Sequence, residues 1–251
     1  MSKGRIRIGT AGFSYKDWLG NFYPQFCPVA DFLTCYSSVF STVEIDATFY
    51  RIPSADTVRK WVAQGREQFV FTAKFPRTVT HEGDLPQRLD TAAAFIEVMR
   101  GFDDHLGPLL LQFPYSFKPV EFATLKRLVE AMPSDLRIAV ELRNKAWLEL
   151  SELFDLLIGR NIALALIDHP WMPRREIATA DFHYLRFLGD RKKIPDDFSY
   201  VRIDREKDLR WWRHVIDRFT ADGQDLFAFF NNHYSGHAPS TARRMIELLN
   251  E

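Results

Sequence analysis

Cysteine is scarce in this chain: Cys27 and Cys35 are its only two, too few and wrongly spaced for a secreted disulfide framework or a structural zinc site. The spacings HxH, HExxH and CxxC do not occur, which removes the usual zinc signatures. No run approaches the roughly 18 apolar residues that a membrane span needs, and the opening MSKGRIRIGTAG lacks the apolar core of a secretory signal. There is no excess of charge of either sign, since 33 Lys plus Arg balance 33 Asp plus Glu, so the global field does not favour nucleic acid or a membrane surface. Low-complexity tracts, Gly/Ser linkers and internal repeats are missing as well. The expectation is one soluble domain over residues 1–251, in a reducing cytoplasm and with no membrane partner. Helix faces that would pack on another copy look like faces that pack on a sheet, so the oligomeric state is not readable.

Apolar and aromatic material is plentiful, with 46% hydrophobic residues and 22 Phe. Most Phe fall inside strand and helix patterns, which suits a Phe-rich core better than base stacking. Short apolar runs of strand character recur at 5–9, 43–47, 69–74, 108–112, 137–142, 162–168, 183–187 and 226–231. Runs such as LGPLLLQF and IALALID are nearly continuous, the mark of parallel strands covered on both faces. Between them, apolar spacings of three and four predict helices over 29–39, 55–64, 91–102, 120–131, 150–160, 209–219 and 239–249. Eight strands alternating with helices in about 250 residues predict an α/β fold, a (β/α)8 barrel of TIM type. The first connection, GTAGFSYKDW, lacks the GxGxxG fingerprint of a dinucleotide-binding open sheet. The sixth connection, HPWMPRREIATADF, carries two prolines and predicts an irregular segment.

Side chains alternate across a strand, so polar residues two apart inside an apolar run share a face. In VEIDATFY this groups Glu44, Asp46 and Thr48 against Val43, Ile45 and Ala47. In RIAVELRN it groups Glu141 and Arg143 with Ala139. Lys74, Gln112, Asp168 and Arg186 end or enter further strands, and NNHYSGH follows the last. Charged and amide groups thus gather at the strands' C-terminal ends, where barrels of this kind keep their active sites. A buried ion-pair plug is the competing explanation. Paired charges are often no better for stability than apolar residues, so a functional pocket is the stronger reading of the set. His81 and His169 lie in loops at the same end.

The strings IGTAGFSYKDWLGNFYP, VEIDATFYRIPS, FTAKFPRTVTH, LGPLLLQFP, AVELRNKAW and FFNNHYSGHAP, in that order over nearly the whole chain, resemble the domain of unknown function 72 family, the YecE-like proteins. The resemblance implies a TIM-type barrel with a polar site and supplies no reaction, cofactor or substrate. Positions matching its motifs include Thr10, Gly12, Glu44, Asp46, Tyr50, Lys74, Gln112, Glu141, Arg143, Asp168, Asn231, Asn232 and Tyr234. The stretch HPWMPRR is the least recognisable and is the expected seat of substrate selection.

Taken together, the candidate catalytic residues are Glu44, Asp46, Lys74, Glu141, Arg143 and Asp168. Candidate substrate contacts are Thr10, Gly12, Tyr50, Gln112, Arg186, Asn231, Asn232, His233 and Tyr234. The expected activity is acid–base or hydrolytic chemistry on a small anionic molecule such as a sugar phosphate or nucleotide fragment, with Glu44 and Glu141 as acid and base. Lys74 and Arg143 would stabilise negative charge, and the NNHYSGH turn would hold the anion. Lys74 could instead form a Schiff base. No dedicated metal site or cofactor is expected, although the carboxylates Glu44, Asp46, Glu141 and Asp168 could hold Mg²⁺ or Mn²⁺. That variant would be a metal-assisted phosphodiesterase or nucleic-acid enzyme with Trp18, Tyr50 and Trp147 at its rim. A non-catalytic ligand-binding protein is the third alternative.

Overall fold

The computed structural model describes residues 3–251. Its strands are β1 (Ile6–Thr10), β2 (Thr42–Ile45), β3 (Val70–Lys74), β4 (Leu106–Gln112), β5 (Ile138–Glu141), β6 (Ala163–Leu164), β7 (Leu166–Asp168), β8 (Phe182–Phe187) and β9 (Asp225–Phe230). The helices are α1 (Phe32–Ser37), α2 (Ala55–Gln64), α3 (Arg77–Thr80), α4 (Leu85–Arg100), α5 (Phe122–Glu130), α6 (Ser151–Gly159), α7 (Glu206–Thr220), α8 (Asn232–Ser235) and α9 (Ala238–Asn250). Residues 169–181, the predicted irregular connection, contain neither helix nor strand.

Hydrogen bonding divides the strands into two parallel sheets, a four-stranded one in the order β1-β9-β8-β7 and a five-stranded one in the order β2-β3-β4-β5-β6. Every strand pair is parallel. The run predicted as one strand over 162–168 is two: β6 pairs with β5, β7 pairs with β8, and Ala165 separates them.

The alternation sorts side chains as predicted. Val43, Ile45, Ile138, Val140 and Leu142 join the large apolar cluster shared with the helices. A smaller cluster draws Val70, Leu110, Ala139 and Ala163 from one sheet and Phe182, Tyr184, Phe227 and Phe229 from the other, so the two sheets face each other across it. Burial of both faces explains why the strands read as nearly continuous apolar runs.

Side-chain caps set the starts of α2 and α4. The Ser54 hydroxyl accepts from the Thr57 amide at 3.2 Å before α2. The Asp84 carboxylate accepts from the Gln87 amide at 3.0 Å before α4, with a proline in the first turn. That cap places the start of α4 six residues ahead of the predicted position 91.

Candidate active site

A cavity of about 500 Å³ lies beyond the C-terminal ends of the strands. Six of the candidate residues on its wall come from strand ends and the turns that follow: Asp46, Lys74, Gln112, Arg143, Arg186 and Asn231. Tyr50, Asn232 and His233 also line it. Glu44, Glu141, Thr10, Gly12, Asp168 and Tyr234 do not.

Glu44 and Glu141 are fully buried one layer below the wall, joined by Arg186. The Arg186 Nε donates to Glu44 at 2.9 and 3.1 Å and its Nη2 at 2.5 Å, while its Nη1 donates to Glu141 at 2.5 Å. Tyr184 adds a hydroxyl to Glu44 Oε2 at 2.6 Å, and Arg143 Nε donates to Glu141 Oε1 at 2.6 Å. All four carboxylate oxygens therefore already accept hydrogen bonds. The expectation that these two glutamates act as acid and base on a substrate is at odds with this packing, because neither faces the cavity. Burial alone would push the Glu141 carboxyl up, but the Arg186 and Arg143 charges outweigh it and hold it at about 2. Burial pushes Glu44 up, opposed by Arg186.

Lys74 behaves differently. Its side chain is buried on the last residue of β3, with 8% of the residue exposed, and its Nζ lies 3.7 Å from the centroid of the Phe49 ring. Among the described residues it has neither an ion-pair nor a hydrogen-bond partner for that amine. Burial lowers its pKa to about 8, against the attraction of Asp46 and with help from Arg186. His81, whose ring lies 5.0 Å from Phe49, is lowered to about 4 by burial and then by the Lys74 charge. His169 and His233 are lowered by burial as well. All three histidines line the cavity, and burial there favours their neutral form.

The turn after β9 is held by its own amides. The Asn231 side chain accepts from the His233 amide at 3.0 Å. Asn232 Oδ1 accepts from Trp18 Nε1 at 3.2 Å and from the Ala238 amide at 3.0 Å, leaving Asn232 Nδ2 buried with no partner among the described residues. A buried donor in that state is costly unless something outside the protein accepts from it.

Several expectations need correction. Asp168 points away from the cavity, where its Oδ2 accepts from Arg174 at 2.9 Å, Trp212 Nε1 at 2.7 Å and the Tyr234 hydroxyl at 2.9 Å. The reason was in the alternation: Asp168 shares parity with Leu164 and Leu166, which pack toward the helices. Tyr234 is drawn to the same outer side. Thr10 likewise turns outward, its hydroxyl 2.9 Å from that of Tyr36. Gly12 serves the backbone, with φ +79° and its amide donating to Glu44 O at 2.8 Å. Thr48 leaves the strand pattern because β2 ends at Ile45, and its hydroxyl donates to Lys74 O at 2.7 Å. Trp18 and Trp147, placed at a rim, are wholly buried. Among the described residues, no three His, Cys, Asp or Glu side chains are grouped to hold a metal ion.

The segment after β8 was missed. Leu188, Gly189, Arg191, Asp196 and Phe198 form one wall, whereas the HPWMPRR stretch contributes only His169 to it and uses Arg174 to fasten Asp168 and Asp208. The available signal was positional: GDRKK follows the C-terminal end of β8 after a single residue, Leu188. Gly189 is fixed there by contact, for a Cβ on it would lie 2.2 Å from His233 O, at φ +66°. Among the described residues, no helix is long and apolar enough to cross a membrane.

Comparison with known proteins gives a consistent picture. The family model described as "Protein of unknown function DUF72" matches residues 7–251. The protein YunF of Bacillus subtilis strain 168 is 26% identical over 270 residues, covering 97% of this chain and 94% of its own. YecE of Escherichia coli K12 is 30% identical over 109 residues, 43% of this chain and 40% of that one. A DUF72 family protein of Thermotoga maritima MSB8 has a crystal structure that superposes with TM-score 0.83 at 29% identity, covering 98% of this chain and all of that one. A DUF72 family protein of Enterococcus faecalis V583, at 23% identity, shares the fold with TM-score 0.79 over 98% of this chain and 96% of its own.

Proposed function

On the premise that this chain belongs to the DUF72 family of proteins of unknown function, we propose that the cavity is the active site of an enzyme acting on a small, polar, anionic molecule such as a sugar phosphate or nucleotide fragment. The observation that carries this reading is the surplus of donors on the wall. Lys74 and Arg191 line the cavity without an ion-pair partner among the described residues, and Arg143 adds a guanidinium. A ligand rich in acceptor oxygens completes such a wall. Acid–base chemistry falls to Asp46, His81 and Lys74, which line the cavity, with the Glu44–Arg186–Glu141 network beneath holding Arg143 in place.

The same reading takes residues 1–251 as one (β/α)8 barrel domain of a cytoplasmic protein. Its closure is supported by the Ala11–Glu44 bridge between the edges of the two sheets and by the single residue, Ala165, that divides β6 from β7. Free Cys27 and Cys35 fit a reducing compartment.

Isothermal titration with inorganic phosphate at low salt tests the proposal. Binding that weakens at least about tenfold in both R143M and R191M, a loss of about 1.4 kcal/mol each, is expected. No phosphate binding, or equal binding in all three proteins, contradicts it.

A further inference from the structure

We infer that Lys74 is an imine-forming lysine and that the substrate is an aldehyde or ketone carrying an anionic group, of the keto-phosphate class. The inference rests on the proposed anionic site and goes further by naming the reacting atom on the protein and the functional group on the ligand.

Three features of geometry carry it. The Lys74 stem is buried at the end of β3 while its amine reaches the cavity, so Nζ is held in position rather than free on a long tether. Among the described residues nothing pairs with or hydrogen-bonds that amine: Glu44 and Glu141 below are committed to Arg186, Arg143 and Tyr184, and Asp46 attracts its charge without forming an ion pair with it. The amine sits against the face of Phe49, a contact that holds the ammonium form but leaves the nitrogen lone pair unengaged once the proton is lost. A lysine kept only for binding an anion gains from an ion-paired carboxylate that keeps it charged. A lysine kept for nucleophilic attack needs the desolvated, unpaired setting seen here. Its lowered pKa of about 8 agrees, since a sizeable neutral fraction is then present near neutral pH.

In the reaction, the neutral Nζ attacks the carbonyl carbon and a C–N bond forms. The carbonyl π electrons move to oxygen, which takes a proton, and the nitrogen loses one, giving a carbinolamine. A second proton on that oxygen lets the C–O bond break, so that water leaves and a protonated imine remains. Asp46 and His81 line the same space and are the groups available to relay these protons. The protonated imine is an electron sink for breaking a bond at the adjacent carbon. Arg143 and Arg191 are left to hold the anionic group.

Reductive trapping tests this in the intact protein. Dihydroxyacetone phosphate is supplied as the carbonyl probe, sodium borohydride is added, and the product is read by intact mass and peptide mapping, with phosphate titration run in parallel. The expected result is a single reduced adduct on Lys74, abolished in K74M and K74R, outcompeted by inorganic phosphate, with a yield that climbs between pH 6 and about 8. Thermal unfolding of both variants confirms that they are folded. Phosphate binding without any adduct, or an adduct spread over surface lysines, overturns the imine and leaves the anionic site standing. Absence of phosphate binding overturns the site itself, and a Lys74 adduct insensitive to phosphate refutes the anionic half of the substrate class.

Discussion

Replacing Arg186 by methionine removes one guanidinium of nearly equal volume and leaves Glu44 and Glu141, both wholly buried, facing each other's charge. Glu44 loses all its bonds to Arg186 and keeps only the Tyr184 hydroxyl, whereas Glu141 keeps Arg143. The size of the effect follows in two ways. The Glu141 carboxyl is held at about 2 instead of 4.5, a shift on the order of 3 kcal/mol, to which Arg186 is the largest favourable contributor. Breaking a buried ion pair by removing one partner costs about 3–5 kcal/mol in general. R186M is therefore expected to lose about 3–5 kcal/mol at pH 7, or roughly 6–20 °C in Tm for a chain of this size.

The sign of the pH dependence is fixed as well. In the parent, Glu141 contributes stability above pH 4.5 that is lost as pH falls toward 2. In R186M the buried Glu44 carboxyl, already pushed up by burial, loses the charge that opposes that push and rises further, so the folded state takes up a proton first and the gap from the parent narrows as pH drops from 7 to 5. Urea unfolding at the two pH values measures this. The triple variant R186M/E44Q/E141Q should recover most of the loss, because neutral groups need no counter-charge. A loss below about 1 kcal/mol, or a gap that does not narrow at pH 5, refutes the reasoning.

K74M should be more stable than the parent at pH 7. A lysine lowered from 10.5 to about 8 binds fewer protons folded than unfolded between those values, so the parent carries a penalty of up to about 3 kcal/mol below pH 8 that disappears by pH 10.5; urea titrations at pH 7 and 10 will show an advantage that shrinks. D168A should leave phosphate affinity within about twofold, yet cost about 1–3 kcal/mol for each buried donor it strands, Trp212 Nε1 and the Tyr234 hydroxyl; a selective loss of phosphate binding would return Asp168 to the site. G189A should weaken stability and phosphate binding together, since its Cβ would drive the 188–198 segment away from His233 O. The strain of φ +66° adds about 1–2 kcal/mol to that clash.

Period-two alternation made much of the site legible. Glu141 at the end of β5 with Arg143 just beyond it, and Glu44 on β2 with Asp46 just beyond it, sort to the polar side as their spacing demands, and Lys74, Gln112 and Arg186 sit at neighbouring strand ends. Asp168 was misplaced only because its own parity with Leu164 and Leu166 was not applied. Depth was not legible. Alternation tells which face a glutamate takes and not how far along the strand solvent reaches, so Glu44 and Glu141 read as cavity groups although Arg186 seals them below it. The wall from Leu188 to Phe198 carries no periodic pattern, and its place depends on the contact of Gly189 with α8. Trp18 and Trp147 look like rim aromatics in sequence because loops are usually surface; both are instead anchored inward by indole hydrogen bonds, to Asn232 and to Phe117 O.

The most direct test of the central claim is a crystal structure of the protein soaked in phosphate at low ionic strength, read for density at the mouth of the strands. An anion within about 2.7–2.9 Å of Lys74 Nζ or of an Arg143 or Arg191 nitrogen is the predicted result. Phosphate bound only elsewhere on the surface, with this cavity holding water alone, would contradict it.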